Sequence, residues 1–162
     1  MSEKNFKVLF VCLGNICRSP AAEGVMQHKV REAGLANRIV IDSAGTEGWH
    51  AGKAPDSRMR QHAKQRSYAL DSAARQVRTQ DFTDFDLILV MDQQNLREIR
   101  RFAPVPELMK KVRLFCDFAE DREETEVPDP YYGGEAGFEQ VLDIVENGCD
   151  HLLVHIQREL HA

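Results

Sequence analysis

No apolar run in this 162-residue chain approaches the roughly 20 residues needed to cross a bilayer, so no membrane-spanning segment is expected. The opening residues, MSEKNFKVLF, lack the architecture of a signal peptide: the apolar stretch is short and leads straight into a strand-like segment. A cytoplasmic location is the expectation. Positive charge is not in excess either. There are 21 Lys and Arg against 26 Asp and Glu, a formal net charge of −5, which argues against a nucleic-acid surface. Arg97, Arg100, Arg101, Lys110, Lys111 and Arg113 gather locally and read as a solvated face balancing the acidic run DFAEDREETEV at 117–127. Repeats, low-complexity tracts and linkers are absent. Residues 1–162 therefore read as a single domain, long enough to bury a core.

Cysteine is sparse: Cys12, Cys17, Cys116 and Cys149, expected as thiols in a reducing compartment. No second pair at ligand spacing accompanies Cys12 and Cys17, so no metal site is expected there. His151 and His155 fall four apart, but Leu152 stands where a metalloprotease helix needs Glu. Cys116 and Cys149 lie on apolar faces and read as core. The glycine–lysine pair of a nucleotide-binding phosphate loop is missing as well.

What is present is a set of near-continuous apolar, β-branched runs at 6–12, 38–42, 86–91 and 112–116, the pattern of parallel strands buried on both faces. Helical segments separate them. Ala21, Ala22, Val25, Met26, Val30 and Ala33 share one face, with Ser19 placed to N-cap, Pro20 at the first helical position and Gly34 at the stop. Leu96, Ile99 and Phe102 mark another helix over 92–102. The longest stripe, from about Glu135, runs through Phe138, Val141, Leu142, Val145, Cys149, Leu152, Leu153, Ile156 and Leu160. The alternation predicts an α/β fold: a four-stranded, parallel, twisted sheet flanked by helices on both faces. Ligands of such sheets bind beyond the carboxyl ends of the strands. Three polar loops, 12–19, 43–57 and 117–134, fall at that edge.

The first of these, VCLGNICRSP at 11–20, places a cysteine where the first strand ends and an arginine just before a helix. A strand–loop–helix of this kind, with Gly14 and Asn15 to accept unusual backbone angles, turns successive N–H groups inward at the positive end of a helix dipole. The result is a phosphate-binding loop after the first strand. Arg18 adds a planar cationic fork matched to phosphate oxygens, and the same field favours a thiolate on Cys12. Alone, a strand-end cysteine is more often packing than nucleophile; the Cys-x5-Arg-Ser spacing reverses that reading. Sulfur could then attack phosphorus in line with the leaving oxygen and form a phosphocysteine. Expulsion of an alkoxide or phenoxide needs an acid. Asp129, stiffened between Pro128 and Pro130, is the candidate, and nearby negative charge would raise its pKa. The alternative is a simple Asp-Pro turn with two surface tyrosines. Trp49, in the glycine-flanked loop GTEGWHAG, is either a lid on its own domain or a recognition surface.

VCLGNICRSPAAEG, DSAGT at 42–46, VMDQQNL at 90–96 and VPDPYYGG at 127–134 together resemble the low-molecular-weight protein tyrosine phosphatases, over a stretch from about Phe6 to the final helix. The resemblance implies Cys12 as nucleophile, Arg18 as phosphate clamp and Asp129 as general acid, then base. It implies that Asn15, Ser19 and Ser43 hold the loop, and that Leu13, Trp49, Tyr131 and Tyr132 wall a slot for a phenyl ring. Gly14, Ile16 and Cys17 complete the substrate-binding loop, and Asp92 takes a supporting role. No metal or organic cofactor is implied. Phosphotyrosine-containing proteins would be the substrates, a tyrosine kinase a candidate partner, and phosphate-like oxyanions ligands; neither nucleic acid nor membrane is expected as a partner. Cys17 would form a reversible disulfide protecting Cys12, or else simply fill the loop. Related protein arginine phosphatases carry threonine where this chain has Ile16, which favours phosphotyrosine here. Ser72 stands where many animal members have a histidine turned toward the loop asparagine. Thiol arsenate reductases share the loop but need further redox cysteines near 82–90, where FTDFDLILV has none. A binding module that kept the cradle without catalysis is disfavoured by the joint presence of Cys12, Arg18 and Asp129.

Overall fold

The computed structural model describes residues 5–161. Residues 1–4, which open the N-terminal stretch read above for a leader, and Ala162 lie outside the described residues. Four parallel strands, β1 (Phe6–Cys12), β2 (Ile39–Gly45), β3 (Leu87–Val90) and β4 (Val112–Leu114), form one sheet in the order β2-β1-β3-β4. Every residue of β1 except Lys7 is buried. Its side chains alternate between two cores. Phe6, Val8, Phe10 and Cys12 pack with α1 (Arg18–Glu32) and α5 (Glu135–Leu160), while Leu9 and Val11 pack with Phe82 and Ile99 on the opposite face. A strand with no polar face needs cover on both sides, and the helices supply it. Three shorter helices complete the layers: α2 (Ser57–Gln65), α3 (Asp81–Asp84) and α4 (Gln93–Ile99). No helix among the described residues is long and apolar enough to cross a membrane.

Because β1 lies between β2 and β3, the chain leaves its carboxyl end in one direction and later returns on the other side. That is the switch point where open α/β sheets leave a crevice. Cys12 is the last residue of β1 and borders it.

Several boundaries differ from the sequence reading. β2 continues past Asp42 to Gly45, because Ser43, Ala44 and Gly45 stay in register with Phe10, Val11 and Cys12. β4 stops at Leu114; Phe115 turns under α5 in a 3-10 turn (Phe115–Asp117), its ring 6.0 Å from that of Phe10. The ring lies so close to Gly148 that a Cβ there would sit 2.4 Å from it. Ser19 is not the cap of α1. The helix begins at Arg18, and Cys17 occupies the cap position without a side-chain hydrogen bond. The hydroxyl of Ser19 is instead drawn into the loop below it. α2 is capped by Asp56, which accepts from Arg58 N–H at 2.9 Å. The face of α4 is as read, with Ile99 buried and Leu96 and Phe102 packed beside it.

Candidate active site

The loop between β1 and α1 is shaped by its own backbone. Asn15 has φ of +58°, in the left-handed region that asparagine tolerates better than most residues. The carbonyls of Cys12, Leu13, Ile16 and Cys17 face outward and accept from the N–H groups of Thr46, Glu47, Asp56 and Ala21 at 2.8–3.1 Å. Among the described residues, the N–H groups of Gly14, Asn15, Ile16 and Cys17 donate to no backbone carbonyl. They are left to serve a ligand at the start of α1, where the helix dipole favours an anion. Gly45 allows the loop to lie this close to β2: a Cβ there would stand 2.7 Å from the Leu13 carbonyl oxygen and 3.1 Å from Asn15 N.

Above the loop opens a cleft of about 190 Å³. It brings together Cys12, Leu13, Gly14, Ile16, Cys17, Arg18, Trp49, Asp129, Tyr131 and Tyr132, contributed by three chain segments. Asn15, Ser19, Ser43 and Asp92 stand behind it as hydrogen-bonding support. His50 also lines the cleft and was not singled out from the sequence; its position beside Trp49 in an irregular loop gave no periodic signal.

Behind Cys12 runs a chain of polar groups. Cys12 Sγ lies 3.0 Å from Ser19 Oγ. Asn15 Nδ2 donates to Ser19 Oγ at 2.8 Å and to Ser43 Oγ at 2.9 Å. Ser43 in turn donates to Glu23 Oε1 at 2.5 Å. Burial, reinforced by Asp42, raises the pKa of Glu23 against the pull of its hydrogen bonds from Ser43 and Ser72. Ser72 thus joins the network through Glu23, with Ser43 standing between it and Asn15.

Arg18 is 3% exposed. Its Nη1 donates to Asp92 Oδ2 at 2.6 Å and to the Val127 carbonyl at 3.0 Å, and its Nη2 lies 3.7 Å from Asp129 Oδ2. Burial works against the guanidinium charge, but Cys12, Asp92 and Asp129 outweigh it and the pKa is raised. Asp129 Oδ1 accepts from Tyr131 N–H at 3.0 Å, which closes the Asp-Pro-Tyr turn and leaves Oδ2 facing the cleft side of Arg18. Cys17, at the end of the loop, is buried; desolvation, then the charges of Asp56, Cys12 and Asp129, push its thiol pKa well up.

Tyr131 and Tyr132 meet edge to face, with centroids 4.9 Å apart. Tyr132 is 95% exposed and Trp49 65%, so the outer walls stand open to a partner. Arg58, another residue the sequence did not mark, ties this tyrosine turn to the body of the protein. It donates to the Tyr131 carbonyl at 3.0 Å and lies over the Phe138 ring at 4.9 Å. Among the described residues, no group of three or more His, Cys, Asp or Glu is placed to hold a metal ion.

The model of one family, low molecular weight phosphotyrosine protein phosphatase, matches residues 7–162. A Streptomyces coelicolor low molecular weight protein-tyrosine-phosphatase is 43% identical over 159 residues, 97% of this chain and 97% of its own. The crystal structure of a protein tyrosine phosphatase from Entamoeba histolytica superposes with a TM-score of 0.92 at 45% identity, covering 96% of this chain and 99% of that one. A Drosophila arginine phosphatase superposes with a TM-score of 0.86 at 35% identity, covering 93% and 98%. With its anion loop, buried arginine and Asp-Pro-Tyr-Tyr turn at one sheet edge, the chain belongs to the low molecular weight phosphotyrosine protein phosphatase family.

Proposed function

We propose that this protein hydrolyses phosphotyrosine and other aryl phosphate monoesters through a phosphocysteine intermediate on Cys12. The observation that carries the reading is the placement of Cys12 Sγ, 3.0 Å from the Ser19 hydroxyl, at the floor of a cleft whose loop amides and Arg18 can hold a phosphate dianion. In the first step the sulfur anion attacks phosphorus, the P–O bond to the aryl group breaks, and Asp129 gives its proton to the departing oxygen. In the second, Asp129 takes a proton from water, the water oxygen attacks phosphorus, and the S–P bond breaks to return the thiolate and release phosphate. Ser19 can donate to the sulfur when it starts the first step and when it leaves in the second. Arg18 stays anchored by Asp92 while its second nitrogen faces the phosphate. The aromatic walls suit a phenyl ring, so phosphotyrosine-containing proteins are the proposed substrates and a tyrosine kinase the source of their phosphate.

The test is steady-state turnover of p-nitrophenyl phosphate by wild type and Cys12→Ser, with acid-quenched enzyme examined for phosphate bound to Cys12. Turnover should fall to background in the variant, and the wild type should carry a phosphocysteine. A Cys12→Ser protein that keeps its activity would overturn the mechanism. The arginine phosphatase among the structural relatives makes phosphoarginine the second reading, and residue 16 is the position that decides between them.

A further inference from the structure

The hydrogen bonds behind Cys12 lead through Asn15 to the backbone of Arg75, a residue outside the cleft. The carboxamide of Asn15 can sit in two orientations related by a flip, and its neighbours choose between them. Arg75 N–H points at it and needs an acceptor, at 3.1 Å. The amide oxygen therefore faces Arg75, and both amide hydrogens are directed to Ser19 and Ser43. Ser19 already receives a hydrogen bond from Asn15, so its one proton is shared between two acceptors, Cys12 Sγ at 3.0 Å and the Ala44 carbonyl at 3.4 Å, and the sulfur is the nearer. With the amide reversed, two donors would face each other at Arg75, and Ser19 would give its proton to the amide oxygen instead of to sulfur.

The main chain of Arg75 is held in place by its side chain. All its guanidinium N–H groups have acceptors: Nη1 and Nη2 grip the two oxygens of Asp81 at 3.0 Å each, Nε and Nη2 share Asp42 Oδ2 at 3.2 and 3.1 Å, and Nη1 also meets the Gln76 carbonyl at 3.2 Å. Asp81, at the start of α3, is fully buried and also accepts from Arg78 N–H at 2.8 Å. The guanidinium thus staples β2 to α3, and the peptide units around residue 75 lie against Gly45, whose N–H and carbonyl pair with Arg75 O and Val77 N at 2.8 Å.

We propose that Arg75, anchored by Asp81, is a positioning residue for the nucleophile: through its backbone N–H it fixes the Asn15 amide so that Ser19 donates to Cys12. The proposal rests on the phosphatase reading above. A side-chain pair that only stabilises the fold would have no special link to Ser19, whereas this route runs through the Ser19 hydroxyl and disappears when that hydroxyl is removed.

The experiment uses the full chain as wild type, Asp81→Asn, Arg75→Lys, Ser19→Ala and Asp81→Asn combined with Ser19→Ala. It reads kcat and KM for p-nitrophenyl phosphate, the rate of Cys12 carboxymethylation by iodoacetate at about pH 6, and thermal midpoints. Asp81→Asn should lower both kcat and the carboxymethylation rate about tenfold with KM little changed, the scale of one hydrogen bond to a charged atom. The double variant should be no slower than Ser19→Ala alone, the signature of two residues acting on one route. Should Asp81→Asn not fold, Arg75→Lys, which keeps a cation beside Asp81 but loses the two-pronged grip, carries the same comparison in the Ser19→Ala background. Lowered midpoints with kcat and carboxymethylation at wild-type rates, or losses that multiply in the double variant, would overturn the positioning role. A wild type that neither turns over aryl phosphate nor is shielded from iodoacetate by inorganic phosphate would instead overturn the phosphatase reading itself.

Discussion

Asp92 serves Arg18 and α4 with different oxygens: Oδ2 takes Arg18 Nη1 at 2.6 Å, while Oδ1 accepts the N–H of Asn95 at 2.7 Å. The residue that caps a helix is thus also the one that orients the buried Arg18 guanidinium. The two roles separate by mutation. Asp92→Asn keeps a side chain suited to capping but removes the charge facing Arg18. It should lower kcat/KM for aryl phosphate by roughly 10- to 100-fold, the cost of weakening a charged hydrogen bond, and lower the thermal midpoint too, because one amide oxygen cannot accept from both partners and an amide N–H then faces the buried guanidinium. Asp92→Ala should add a loss of about 1 kcal/mol of stability for the missing cap. Steady-state kinetics and urea unfolding of both variants check this, and equal stability losses in the two would contradict the division of labour.

Asp129 sits at the mouth rather than the floor. Its Oδ1 is committed to Tyr131 N–H, and its Oδ2 faces Arg18 at 3.7 Å. In the mechanism proposed above, Oδ2 is the oxygen turned to the leaving group. Asp129→Ala should therefore reduce turnover of phosphotyrosine on the order of 10²–10⁴-fold, the usual weight of a general acid, while binding of inorganic phosphate stays close to normal. The loss should shrink along a series of aryl phosphates whose phenols leave more easily. A uniform loss across the series would mean that Asp129 acts on binding and not on proton transfer.

Much of this arrangement was legible because local and global signals agreed. β1 and α5 announce themselves through unbroken apolar patterns, and the Cys12–Arg18 spacing ties the loop to the junction between strand and helix. Ser19 shows where such reading fails. A serine before a proline at a helix start has every local reason to cap, yet Asn15 and Cys12 claim its hydroxyl, and the helix starts two residues earlier, at Arg18. Glu23 and Arg75 left no trace for a similar reason. Glu23 looks like one more polar residue on a helix, and its partners Ser43 and Ser72 lie 20 and 49 positions away. Arg75 belongs to an irregular segment with no periodicity, fixed by Asp42 and Asp81 from two other elements. Asp92 and the aromatic walls were placed by family likeness; spacing alone gave no reason to join them to residues 12–18.

The thiols outside the reaction give the protein an alkaline weakness. Burial, helped by Glu124, Asp117 and Glu126, pushes the Cys116 thiol from 9.0 up to about 12. Burial also raises Cys17 and Cys149, the latter fully enclosed beneath α1. A group whose pKa is higher in the folded state stabilises the fold below its unfolded value, and the contribution is lost as pH rises toward the folded value. Stability should therefore decline from about pH 8.5, where unfolded thiols begin to ionise, through pH 11. Thermal or urea unfolding across that range checks the decline. The discriminating comparison is Cys149→Ala, whose slope with pH should be shallower than that of wild type. Parallel slopes would remove Cys149 as a cause.

Ile16 lines the cleft, and its backbone is held by the bond from Asp56 N–H to its carbonyl at 2.8 Å, so a substitution changes the side chain more than the loop. An isoleucine here offers only hydrocarbon to the group beyond the phosphate. That matches a phenyl ring but leaves the N–H groups of a phosphorylated guanidinium without a partner. Threonine keeps the branch at Cβ and supplies a hydroxyl that can accept from them. A site able to hydrogen-bond such a group gains discrimination of order 10-fold or more over one that cannot. The ratio of phosphoarginine to phosphotyrosine turnover should thus be low in wild type and rise about tenfold in Ile16→Thr. The rise should come from phosphoarginine, with phosphotyrosine turnover falling only modestly, because the branched carbon still packs against the ring. An unchanged ratio would show that residue 16 does not set substrate choice. A ratio already high in wild type would favour the phosphoarginine reading over phosphotyrosine while leaving the chemistry at Cys12 intact, since both substrates present the same dianion to the loop.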